Sequence, residues 1–412
     1  MRRALAPNFT LDYTGAIDPW IETLRHQGFS ALGTEFSNYN PPYLYLLYIG
    51  TKLPIHHDLI VDKIIAGSFD LLLAAGVAGI VYRLRGKLFL AAIGAIAALF
   101  IPEVFLSSGM WGQADSTYTT FLVWAAFFLL KKQDIGAWVM FAIAFAFKLQ
   151  GLFFLPWMAL AFIFQKHRWR AVGIGVLTLL ATYIPALVAG RSVSSLASIY
   201  IAQTSAQPEL TALAVNLYQW VPSSFFATVY PAGLFFGVGI VAILCPLYLR
   251  HGATMTGPWM LRIAAAIGVV VPFVLPEMHD RNFYPGDVFV VLCISVDRRY
   301  IVPAVATQFT ALCAYSPILR GSQIISFQTA SIVQLAAVVM VVVLSFPAAF
   351  NPRLVGGDPE AKGIAEGLGD SSISSSLAAD ATGLVTTVSN AFGVKRPGER
   401  WSRTKRRLTR PF

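Results

Sequence analysis

Apolar runs recur between residues 60 and 349, many of them approaching the length needed to cross ~30 Å of hydrocarbon. They fall at about 60–82, 88–105, 117–131, 135–148, 151–165, 170–189, 231–249, 258–276, 284–296, 300–318 and 327–349. A bilayer offers no water to unpaired backbone groups, so an open sheet is excluded, and the runs lack the alternation of a β-barrel. The chain is therefore expected to be an all-α polytopic membrane protein with about 11 transmembrane helices. Only 13% of the residues are charged, against roughly 25% in soluble proteins.

The formal charge of +10 does not point to nucleic acid, because the basic residues sit in short connections between apolar runs. "YRLRGK" (82–87), "KKQD" (131–134), "QKHRWR" (165–170), "YLRHG" (248–252) and "DRRY" (297–300) occupy every second connection. The positive-inside rule places these in the cytoplasm. Residues 1–59, "PEVFLSSGMWGQADS", "KLQG", 190–230 and "EMHDRN" then lie outside. Cys245, Cys293 and Cys313 sit in apolar runs without paired spacing and read as small buried hydrophobes.

Three regions follow: an extracytoplasmic segment 1–59, a membrane domain 60–350 and a basic cytoplasmic tail 351–412. In the first, "IETLRHQGFSAL" and "PPYLYLLYIGTKLP" read as interfacial helices, the second opened by Pro41 and Pro42. The tail is Gly/Ser/Ala-rich without a sustained apolar face and is expected to be disordered, its basic end suited to membrane lipids.

Polar residues gather on the predicted outer side. Asp12, Asp18, Glu22 and Glu35 are candidate bases for an incoming hydroxyl, or solvated acids of a wet loop. In "SSGMWGQADSTYTT", Gln113 and Asp115 can hydrogen-bond sugar hydroxyls and Trp111 can stack on a sugar face; helix capping and an aromatic belt are the plainer readings. Lys148 and Gln150 interrupt an apolar stretch where a charge costs roughly 2.5–3.5 kcal/mol, so Lys148 either serves a site or snorkels. In "PEMHDRNFYP", Arg281 offers a fork for phosphate oxygens and His279 a second donor, unless Asp280 and Arg281 form an ordinary loop pair. No Walker loop, GxGxxG or HExxH motif is present, and no cofactor or metal is expected.

Taken in order, "DYTGAIDPW", "YNPPYLYL", "FKLQGLFFLP" and "MHDRNFYP" resemble motifs of the GT-C superfamily of integral-membrane glycosyltransferases. The likeness is to bacterial proteins related to GPI-anchor mannosyltransferases, extends to dolichyl-phosphate-glucose-dependent glucosyltransferases, and covers roughly residues 9–345. It implies a GT-C-like bundle and an inverting transfer of a hexose, mannose or glucose, from a polyprenyl-phosphate donor. The acceptor would be an extracytoplasmic glycan, lipid or protein. It also implies that Asp12 is the base, with Asp18 the runner-up, and that Lys148, His279 and Arg281 hold the donor phosphate. Tyr39, Trp111, Gln113, Asp115, Gln150 and Asp280 would contact substrate. Asp280 stands where the family more often has glutamate. Family members carry a transmembrane segment before the first loop; none precedes Asp12, so either the start is truncated or the fold lacks that helix. The competing class is a lipid-linked-sugar flippase or transporter, which would place its charges at a midplane site.

Overall fold

The structure, a computed structural model, describes residues 10, 12–55, 57–203, 209–250 and 257–346. The predicted tail at 351–412 lies outside the described residues. The described part is almost entirely helical. Two helices come from the first segment: α1 (Asp18–Gln27) and α2 (Pro41–Thr51). Then follow α3 (Asp58–Arg85), α4 (Leu88–Phe100), α5 (Asp115–Leu130), α6 (Asp134–Phe147), α7 (Leu155–Phe164), α8 (Trp169–Ala181) and α9 (Val193–Gln203). The remainder are α10 (Phe226–Arg250), α11 (Pro258–Val274), α12 (Tyr284–Cys293), α13 (Ile301–Arg320) and α14 (Phe327–Leu344).

Each predicted span contains helix, but length separates them. Among the described residues five helical stretches are long and apolar enough to cross a membrane: 58–85, 169–188, 223–250, 298–320 and 327–344. A sixth is formed if α4 and the turns Pro102–Trp111 count as one span, bent by 54°. The bend sits where Pro102 forbids a continuous helix. The count of eleven is thus not established by helix length. The shorter helices include the most enclosed: every side chain of α11 from Met260 to Val274 is buried. By contrast, α8 and α10 expose Leu177, Leu180, Phe235 and Val238, the faces expected to meet lipid.

The helices pack as two groups. α3 packs against α4 and α5, and α6 packs against α5 and α8; α11 packs against α12 and α14, and α13 against α14. Contacts of α5 and α7 with α11, and of α5 with α12, join the groups. Asp58 in the first turn of α3 and Arg83 and Arg85 in its last complement the helix dipole. α1 and α2 belong to the same core, where Ile21, Leu24 and Tyr43 are buried with Leu73 and Tyr118.

α11 and α12 cross at Gly268 and Gly286. A Cβ on Gly268 would come 2.6 Å from the Cα of Gly286, and one on Gly286 would come 2.4 Å from the carbonyl oxygen of Gly268. Two backbones in direct contact fix the hairpin that carries residues 275–283. The same hairpin is lashed from outside by residues 210–218. β1 (Thr211–Ala212) pairs in parallel with β2 (Met278–His279), and the amide of Glu277 donates to the carbonyl of Leu210 at 2.9 Å. Tyr218 donates its hydroxyl to the carbonyl of Val274 at 2.8 Å, and Asn216 Nδ2 to that of Leu275 at 3.3 Å. Those carbonyls are among the ones a helix end leaves unpaired.

Candidate functional site

Asp12 begins a single helical turn, Tyr13–Ile17, and its Oδ2 collects three donors from distant parts of the chain. Gln113 Nε2 donates at 2.9 Å, Trp111 Nε1 at 3.0 Å and Arg281 Nη1 at 3.1 Å. Oδ1 takes no hydrogen bond among the described residues, and the side chain is 47% exposed. Among the described residues the aspartate thus keeps one oxygen without a partner.

The local backbone explains the convergence. Trp111 closes the turn Ser107–Trp111, and Gly112 follows with φ +80°, reversing the chain so that Trp111 and Gln113 both reach Asp12. A Cβ on Gly112 would meet Asp62 Oδ2 at 2.4 Å, so the turn also needs the missing side chain. Arg281 comes from the turn Asp280–Phe283 that links β2 to α12. Its guanidinium lies 5.2 Å above the Trp111 ring, a cation–π arrangement. Trp111 in turn stands edge-on to Tyr315 at 5.0 Å.

Tyr39 reaches the cluster through Gln113 Oε1, to which its hydroxyl donates at 3.4 Å, and its ring packs on Trp20 and Tyr43. Lys148 does not present a free ammonium: it is ion-paired with Asp115, which is fully buried, and it lies over the ring of Tyr118. This pair neutralises the lysine that the sequence suggested for a phosphate. Asp280 is buried and accepts from the amide of its neighbour Arg281 at 3.0 Å. Asp18 accepts from the Tyr13 hydroxyl at 2.8 Å rather than from the donors around Asp12. Gln150 sits on the turn Leu149–Phe154 with its Oε1 buried and unpartnered among the described residues.

The titration of the loop is set by enclosure. Burial, with the charges of Arg281 and Lys148, pushes the His279 pKa down to about 4, so the imidazole is neutral at pH 7. Burial lifts Asp280 to about 7 against the opposing pull of Arg281. Burial works against the charge on Arg281 as well, but Tyr39, Asp115, Asp280 and Asp12 outweigh it and raise its pKa further. The cation facing Asp12 is therefore Arg281, with His279 a neutral neighbour.

Sequence reasoning passed over a second set of acids. Glu103, after the bend at Pro102, accepts from the Tyr315 hydroxyl at 3.1 Å, and its carboxyl lies near that of Asp287 of α12. Both oxygens of Asp287 are buried and take no hydrogen bond among the described residues. Asp62 of α3 accepts from the Tyr43 hydroxyl at 3.0 Å. The insertion penalty that singled out Lys148 applies equally to Glu103 in "FIPEVFL" and Asp287 in "YPGDVFVV" and would have found both.

Among the described residues no group of three His, Cys, Asp or Glu side chains is placed to hold a metal ion. No protein-family model matches the chain, and no curated protein matches it in sequence.

Proposed function

We propose that the protein is a membrane glycosyltransferase of GT-C type, moving a hexose from a polyprenyl-phosphate donor to an extracytoplasmic acceptor with inversion. One observation carries the reading: a half-exposed carboxylate, one oxygen of which has no partner among the described residues, faces a guanidinium contributed from 269 residues further along the chain. A base for the incoming hydroxyl and a cation for the departing phosphate are what such a displacement requires.

In this reaction the acceptor hydroxyl attacks the anomeric carbon and gives its proton to Asp12 Oδ1. The bond from that carbon to the phosphate oxygen breaks on the opposite face, and the polyprenyl phosphate leaves with the bonding electrons. Arg281 stabilises the charge that develops there, and neutral His279 can donate to it. Trp111 and Gln113 hold Asp12 in place. Lys148 acts through Asp115 as a positioning residue rather than as a phosphate ligand. The shorter buried helices α5, α6, α7, α11 and α12 would complete a bundle of about eleven crossings.

Orientation is supported by helix geometry. The 16 residues of α5 separate Asp115 from Lys131 by about 24 Å. Basic residues at 83–85, 131–132 and 298–299 thus sit at helix ends remote from the cluster, which the positive-inside rule assigns to the cytoplasm. The site would then face outward.

The test is direct. Protein reconstituted in liposomes is supplied with polyprenyl-phosphate mannose or glucose and a mixed acceptor extract, and released polyprenyl phosphate is measured. Release coupled to sugar transfer is expected. Movement of intact donor across the bilayer without release would favour the flippase.

A further inference from the structure

A cleft of about 440 Å³ is lined by Gly15, Trp20, Glu35, Asn38, Arg191 and Ser198 among others. It falls in the size range of small-molecule sites, ~300–1,000 Å³. Gly15 lies on the single turn that Asp12 begins, so one wall of the cleft and the carboxylate are close along the chain. The walls are built rather than incidental. Gln203 of α9 donates to the Asn38 carbonyl at 2.8 Å and to Asn40 Oδ1 at 3.1 Å, tying α9 to the segment before α2. At the other end, the turn Gly28–Gly33 packs against Ile184–Val188. The aromatic lining also leads back to the cluster, because Trp20 packs on Tyr39, whose hydroxyl meets Gln113.

Arg191 is the unusual member. It is 4% exposed, its Nε donates to Ser195 Oγ at 3.1 Å, and its Nη1 is buried without a hydrogen-bond partner among the described residues. Buried N–H groups are rarely left so, and a bound group or water that accepts from them is one way they are satisfied. Burial pulls the Arg191 pKa below its usual value, and the charge of Glu35 opposes that shift. Yet no ion pair joins Arg191 to Glu35 among the described residues. An acceptor and a donor thus share one cleft without using each other.

That lining selects among ligands. One positive and one negative side chain leave the cleft electrically balanced, which disfavours an anionic headgroup. Three serine hydroxyls and the Asn38 amide stand among the apolar residues that make up the rest, a mixture that disfavours an acyl chain. Vicinal hydroxyls on a ring with an apolar C–H face match a separated donor and acceptor beside Trp20 and Phe36. We propose that this cleft holds the terminal residue of a neutral saccharide, bridged between Glu35 and Arg191, and that this saccharide is the acceptor. The acceptor role rests on the transferase reading; the saccharide site does not.

The experiment uses the full chain in lipid nanodiscs, since glycoside detergents would occupy the cleft. Saturation-transfer NMR is recorded with methyl α-D-mannopyranoside, methyl α-D-glucopyranoside and the corresponding disaccharides, without any donor. At least one glycoside should receive saturation through its ring protons, and the effect should fall at least tenfold in Arg191→Ala. Ser198→Trp fills the cleft from an exposed position and should abolish it with the fold intact. Absence of any signal in the wild type, or an undiminished signal in Ser198→Trp, overturns the proposal. Glycoside binding in a protein that releases no lipid phosphate from any donor would overturn the acceptor role with the transferase reading and leave the saccharide site standing.

Discussion

Asp12 is 47% exposed and meets a guanidinium, an indole and an amide; Glu103 is 1% exposed and meets a second carboxyl and a tyrosine hydroxyl. Both acids are assembled from segments far apart in the chain. The first leaves an oxygen open, among the described residues, beside a cation. The second is enclosed by α12 and α13, and its partners are other protein groups. Exposure and the sign of the neighbours, more than the presence of an acid in an apolar chain, separate a group that can do chemistry from one that joins helices.

That contrast can be broken experimentally, beginning with the largest expected effect. Asp12→Asn should lower the turnover of polyprenyl-phosphate sugar by about 10²–10⁴-fold with the protein still folded, the usual worth of a general base. If Glu103→Gln loses as much, the two regions have been assigned the wrong way round. Lys148→Met would leave Asp115 charged and alone in the interior, a loss of about 3–5 kcal/mol. Thermal unfolding in nanodiscs measures it, and replacing Asp115 by Leu in the same chain should recover most of the loss.

A smaller effect sharpens the comparison through pH. Asp280 holds its proton more tightly folded, near 7, than unfolded, so the folded state binds the extra proton between about pH 4 and 7. The contribution of Asp280 should fall as pH rises through that window and level off above it. Depression of the His279 pKa moves total stability the opposite way over the same range, so the quantity to read is the difference between wild type and Asp280→Asn, which should decline by roughly 2–3 kcal/mol between pH 5 and 8. A pH-independent difference would place Asp280 in a wetter environment than the structure gives it. The smallest effect belongs to Glu103→Gln, which keeps hydrogen-bonding capacity and should cost about 0.6–2 kcal/mol with transfer intact, the range for interhelical hydrogen bonds in membranes.

Much of the helical layout was legible because apolar periodicity and charged connections are local signals. Helix occurs wherever a span was read, and α2 begins at the Pro41–Pro42 pair that signalled it. What length alone could not decide was which helices cross, because α11 and α12 are short yet wholly enclosed by neighbours. The site was legible as residue types. The partners were not: Lys148 announced itself as an unusual charge, but Asp115, 33 residues away, claims it only after α5 and α6 turn back on each other. The neutrality of His279 likewise depends on Arg281 and Lys148 standing near it in space. Glu103 and Asp287 each stand in the first turn of a helix just after a proline, where an acid is an ordinary helix-start residue, and only the fold brings the two together.

The contact between Gly268 and Gly286 has a consequence for binding. Helices that touch through bare backbone have almost no room to slide, and the loop they carry has little freedom to lose. Its ordering entropy is spent when the chain folds, so a ligand arriving at Arg281 would find a pre-set partner and keep more of its intrinsic binding energy as affinity.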